Sequence, residues 1–173
     1  TVTANVGETL SLSLGSGTVN PSAGQGDGSP ADGTEDYVPA LEYWTGSAWA
    51  SYGGSVTVPG TGTGSTALLV RVAVNADAVF EGPEDFTLTA AYTSGAARSA
   101  SGTATIKDDG TGVKYPASNP GAGPAPVTDT AGLDDDRVLS VNDLTVNEGS
   151  PKAVFTVTAN VGETLSLSLG SGT

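Results

Sequence analysis

Residues 66–90 read TALLVRVAVNADAVFEGPEDFTLTA. Val70, Val72 and Val74 alternate with Arg71 and Ala73, and Phe86 and Leu88 alternate around Thr87. Successive side chains on a strand point to opposite faces, so each run predicts a strand with one buried face. Between them lies a loop rich in acids. The same alternation recurs outward along the chain. Leu10, Leu12 and Leu14 alternate with Ser11 and Ser13, Val56 and Val58 flank Thr57, Val141 leads to Leu144 and Val146, and Phe155 and Val157 flank Thr156. Turn-forming segments separate these runs: residues 15–33, 45–54, 59–65 and 93–102, all rich in Gly, Ser and Pro. No stretch keeps a helical period. Many short strands between such turns predict an all-β chain folded as an antiparallel β-sandwich.

The phrase TVTANVGETLSLSLGSGT fills residues 1–18 and recurs unchanged at 156–173, an offset of 155 residues from 1 to 156. Such a period is domain-sized and exceeds that of stacked solenoid repeats, which predicts a tandem array of separate beads. Residues 108–137, DDGTGVKYPASNPGAGPAPVTDTAGLDDDR, lack apolar alternation and concentrate Pro and Gly. That composition predicts an extended inter-repeat linker. The expected organisation is therefore out of phase with the repeat. Residues 1–107 form the body of one sandwich without its first strand, 108–137 the linker, and 138–173 the first strands of the next repeat. In native order a complete bead runs 138–155 and then 1–107. The expected partners are neighbouring repeats of the same polypeptide. Head-to-tail strand complementation between copies follows if 138–155 fills the place missing from a 1–107 body.

The chain carries a formal charge of −13 with six Lys and Arg, no His and no Cys. Nucleic-acid binding is disfavoured without a basic face, and so is an anionic membrane surface. No apolar run is long enough to insert in a membrane. Without His or Cys, neither a Ser-His-Asp nor a Cys-His nucleophile can be assembled, and the acids, many and at loop ends, read better as ligands than as a glycosidase pair, so no enzyme activity is expected. The acids gather in clumps at strand ends. Glu148 lies in VNEGS, Glu35 and Asp36 in TEDY, Asp77, Glu81, Glu84 and Asp85 in the loop quoted first, and Asp108 and Asp109 in IKDDG. Any one clump is equally an ordinary solvated turn. Alternate loops of a sandwich share an end, however, and two carboxylates about 4 Å apart repel by roughly 4 kcal/mol at an effective dielectric near 20. Converging clumps would need a cation. An all-oxygen donor set favours Ca²⁺ over zinc or copper, and its flexible geometry favours Ca²⁺ over Mg²⁺.

TEDY, the 66–90 stretch, GTATIKDDG, LTVNEGS and the hairpin EYWTGSAWASYGGSVTVP, in that spacing, resemble the Calx-beta and bacterial Ig-like repeats of large RTX adhesins of the LapA type. The resemblance covers the bead and excludes the linker. It implies an Ig-like, Calx-beta-like sandwich with calcium at one end. By position it implies Glu148, Asp36, Asp77, Glu81, Glu84, Asp108 and Asp109 as ligands, with the carbonyl of Val79. Ala76 stands where many such repeats carry a further acid, and Gly110 where many carry a third closing acid; both imply fewer or weaker ions. Asp134–Asp136 have no counterpart in the family. They are either an inter-domain calcium site or a solvated linker end. The implied role is a calcium-stiffened extender on the outside of a bacterial cell, holding an adhesive tip away from the surface. The alternative is a ligand-binding module using Tyr43, Trp44, Trp49 and Tyr52, whose other reading is core packing and edge shielding.

Overall fold

The computed structural model describes residues 1–16, 36–80, 82–116, 128–129 and 131–170. Eleven strands follow one another, and no helix occurs among the described residues: β1 Val2–Asn5, β2 Thr9–Ser16, β3 Tyr37–Trp44, β4 Trp49–Ser51, β5 Val56–Thr57, β6 Ser65–Leu68, β7 Val70–Val74, β8 Glu84–Tyr92, β9 Ser99–Ile106, β10 Leu139–Val141 and β11 Val157–Ala159. All named pairings are antiparallel.

One sheet has the order β5-β2-β8-β9. Opposite it, β6 and β7 form what is nearly one run, interrupted at Leu69. The Val6 N–H donates to the Gly64 carbonyl, whereas the Trp44 and Asn75 N–H groups donate to the Leu69 and Asp36 carbonyls. Backbone groups of a strand alternate between its two edges. The even positions of this run therefore face β1 and the odd positions face β3, so β1 and β3 flank opposite edges. β4 pairs with the far end of β3.

The two layers enclose the core that the alternation predicts. Leu10, Leu12, Val56, Val58 and Ala90 from the first layer meet Ala4 and Leu68 from the second, with Leu41, Tyr43 and Val70 packed around them. Tyr37 and Phe86 stack at 4.3 Å between ring centroids and extend the core to the opposite end with Leu14, Val72 and Ile106. The chain is thus an all-β antiparallel sandwich.

Three local features stand out, the first and the last against expectation. The segment 93–102, read as a turn, already enters β9 at Ser99. Its Ala, Ser and Gly side chains carry no apolar alternation, and pairing with β8 makes the strand. The pairing of β3 with β7 slips between Val38 and Glu42, around Pro39, which has no N–H to give the ladder. The linker, expected to be extended, doubles back: Asp109 bridges Asp135 and Lys114 bridges Asp129, both antiparallel. Gly110, at φ +68°, allows this close return, since a Cβ there would stand 3.1 Å from an Asp135 carboxylate oxygen.

Beyond the linker, β10 pairs with β11 and with no other strand among the described residues. The duplicated phrase therefore occurs in two environments. Leu10 and Leu12 are 2% and 6% exposed, whereas their copies Leu165 and Leu167 are 41% and 76% exposed. Residues 144–146, expected to extend the first strand of this segment, form no strand.

Candidate metal centre

The end of the sandwich marked by the Tyr37–Phe86 stack is where the acids meet. β3 begins at Tyr37 and β7 ends at Val74, and the Asn75 N–H closes this pair on the Asp36 carbonyl at 2.9 Å. That register sets Asp36 beside the loop after β7. β9 ends at Ile106, opposite Glu84, and delivers Asp108 to the same end. The returning linker is fixed there by backbone bonds from Gly110 N–H to the Asp134 carbonyl at 2.7 Å and from Asp136 N–H to the Asp108 carbonyl at 3.1 Å. Arg137 clamps the return, its guanidinium donating to the Asp109 carbonyl and, in a salt bridge of 2.6 Å, to Asp135.

A cleft of about 120 Å³ results, lined by Asp36, Asp77, Asp108, Asp134 and Asp136 together with Asn75, Lys107 and the apolar Val74, Ala76 and Ile106. Three of these acids were singled out in the sequence. The other two belong to the run left between inter-domain site and solvated linker end; two of its three acids line this cleft. Their arrival depends on the linker's return, which a Pro- and Gly-rich composition does not announce.

Crowding is visible in the electrostatics. The Asp136 carboxyl is held above its ordinary value, first by partial desolvation and then by the charges of Asp134, Asp77 and Asp135. Asp135 and Asp109 are held below theirs, chiefly by side-chain hydrogen bonds from Arg137 and Thr111 respectively. These two acids are thus engaged in closing the linker turn, and Asp109, expected as a ligand, directs its carboxylate to Thr111.

The remaining expected ligands are spread out. One oxygen of Asp77 accepts the Val79 N–H at 2.7 Å, an Asx turn that shapes the loop, while Val79 itself is 54% exposed. Glu84 is buried at the start of β8, as is its neighbour Asp85. Glu148 is exposed and does not line the cleft. Glu81 and Glu35 lie outside the described residues. Among the described residues, no group of three or more acids has closed to metal-holding geometry. The residue types nonetheless suit a hard cation: five Asp and one Asn line the cleft beside one Lys.

The aromatic hairpin is engaged in packing. Tyr43 and Tyr52 lie against the core. Trp44 and Trp49 meet edge-to-face at 5.5 Å, and Arg71 covers Trp49 at 4.2 Å while pairing with Glu42.

Compared with protein-family models, curated proteins and solved structures, the chain matches none of them.

Proposed function

We propose that this chain is a non-enzymatic, calcium-stiffened extender repeat of a long bacterial surface adhesin, an Ig-like bead of the Calx-beta kind that works outside the cell. The observation that carries this reading is the shared cleft: Asp36 and Asp77 come from the bead, and Asp108, Asp134 and Asp136 from the chain leaving it. A Ca²⁺ held by these carboxylates would neutralise their repulsion and tie the departing segment to the bead, restricting the hinge. The domain-sized duplication supports an extender, because added copies add length. Neighbouring repeats are its partners.

Calorimetry and thermal melts of the whole chain with Ca²⁺, Mg²⁺ or EDTA test this. Ca²⁺ at about a hundred times its Kd stabilises the folded state by about 2.7 kcal/mol. Substituting Asp108→Asn together with Asp136→Asn removes most of that gain, and Mg²⁺ gives less. A melting temperature indifferent to Ca²⁺ and EDTA in the unsubstituted chain sinks the proposal.

A further inference from the structure

Two copies of one strand show two different edges in use. In β1, Val2 pairs with Leu68 and Ala4 with Thr66, and the Val6 N–H continues that ladder to Gly64. The even positions thus bond to β6. In β11, Thr158 pairs with Ser140, and the Asn142 N–H continues that ladder to the Thr156 carbonyl. Thr156 and Thr158 are the copies of Thr1 and Thr3, so β10 uses the odd positions. The two pairings are compatible on a single strand, and β1 has its odd edge unpaired by any strand among the described residues.

The faces agree as well. Cross-strand partners share a face, and Leu139 and Val141 stand opposite Ala159 and Val157, the copies of Ala4 and Val2. Ala4 is in the core and Val2 packs against it. A β10 strand on β1 would therefore turn inward Leu139 and Val141, which are 66% and 57% exposed here. The opposite layer has room for them. The Asn5 N–H reaches the Tyr92 hydroxyl, placing β1 across from β8, so the next strand outward lies over β9. Ala100, Gly102 and Ala104 share the face of Ala90, Leu88 and Phe86 by register, yet all three are exposed. Small side chains without cover match large ones without cover.

We propose that residues 139–142 of a second copy of this chain dock as an added strand on the edge of β1 that carries Thr1 and Thr3. Residues 139–142 of the same copy cannot reach that edge. Arg137 is clamped to Asp109, just past the end of β9. Leu139 opposite Ala4 would sit near the other end of β9, about 20 Å away at strand rise. Two residues span only about 7 Å. Exchange of partner is nearly neutral in backbone bonds, because a β10 leaving its own β11 meets the same sequence in β1. The gain is the burial of two large apolar side chains. Docking joins the clamped end of one bead to the Tyr92 end of the next, which makes open head-to-tail chains.

The chain has no Cys, so engineered thiols report cleanly. Thr3→Cys chains mixed with Ser140→Cys chains place the two thiols on facing residues of the docked pair, at a separation a disulfide accepts. On oxidation the mixture should give covalent heterodimers, and the Thr3→Cys/Ser140→Cys double variant a ladder of multimers. Adding Leu139→Asp and Val141→Asp, both at exposed positions, should abolish the ladder and weaken association in sedimentation about a hundredfold or more, while leaving the melt of the body unchanged. An intrachain disulfide alone, or a chain that stays monomeric and uncrosslinked at every concentration, overturns the proposal.

Discussion

The duplicated phrase offers a matched pair of substitutions with local sequence held constant. Leu12 and Leu167 occupy the same position in identical 18-residue segments. Strand propensity and local unfolded-chain effects therefore cancel when Leu12→Ala is compared with Leu167→Ala. Only tertiary burial differs, at 6% against 76% exposure. Leu12 contacts the core formed by Leu10, Val56, Val58 and Leu68, and truncating such a leucine typically costs about 2–5 kcal/mol, because transfer and cavity terms add. Taking about 3 kcal/mol, and about 4–8 °C per kcal/mol for a body of this size, Leu12→Ala should lower Tm by roughly 12–24 °C. Leu167→Ala should stay within about 0.5 kcal/mol. Urea unfolding followed by the fluorescence of Trp44 and Trp49, both in the body, reads the difference directly. The experiment belongs at low micromolar concentration, where association is least. Equal losses for the two variants, or a larger loss for Leu167→Ala, would refute the assignment of the first copy to the core.

Two further outcomes follow from the geometry. The Leu12 N–H, past the end of the β5 pairing, donates to the Tyr52 hydroxyl at 2.8 Å, which donates in turn to the Gly54 carbonyl at 2.5 Å. Tyr52→Phe leaves both backbone groups without that partner and should cost about 1–3 kcal/mol in the same urea assay. The raised Asp136 carboxyl means that the folded state binds its proton more readily than the unfolded chain. In EDTA its contribution to stability is therefore present below the ordinary carboxylate value and is lost as pH rises through the raised one. Asp136→Asn should remove this component, so melts at pH 4.5 and pH 7 should lie closer together than in the unsubstituted chain; an unchanged gap contradicts the crowding. Asp109 and Asp135 act with the opposite sign, their contribution being lost only as pH falls below the ordinary carboxylate value.

Alternating side chains of good strand formers made much of the sandwich legible. Leu10 and Leu12, Val70 and Val72, and Phe86 and Leu88 all point inward as their spacing implies. β1 and the first half of β9 were not legible. VTAN is too short to show a period, and SASG carries the residues of turns. The two fates of the duplicated phrase locate the limit more sharply: the same leucines are core in one copy and surface in the other, because burial depends on which strands are present to cover them. At the acidic end, Asp36, Asp77 and Asp108 were readable because each sits beside a strand end, Asp36 just before β3 and the other two just after β7 and β9. Asp134 and Asp136 were not, since a backbone return at Gly110 and an arginine clamp bring them in. Asp109 matches the family pattern by position, and one oxygen of its carboxylate accepts from Thr111.

The doubled-back linker also has a mechanical meaning. Tension applied along the chain reaches residues 108 and 137 side by side, at the mouth of a loop closed by the Asp109–Asp135 bridge and the Arg137 clamp. Such a closure opens like a zipper, one bond at a time, whereas the paired strands of the layers share load over many bonds. The mouth should yield before the sandwich does. The residues between Gly110 and Asp134 would then pay out roughly 80 Å of slack, lengthening the molecule under sudden pull without unfolding the bead and closing again when the pull is released.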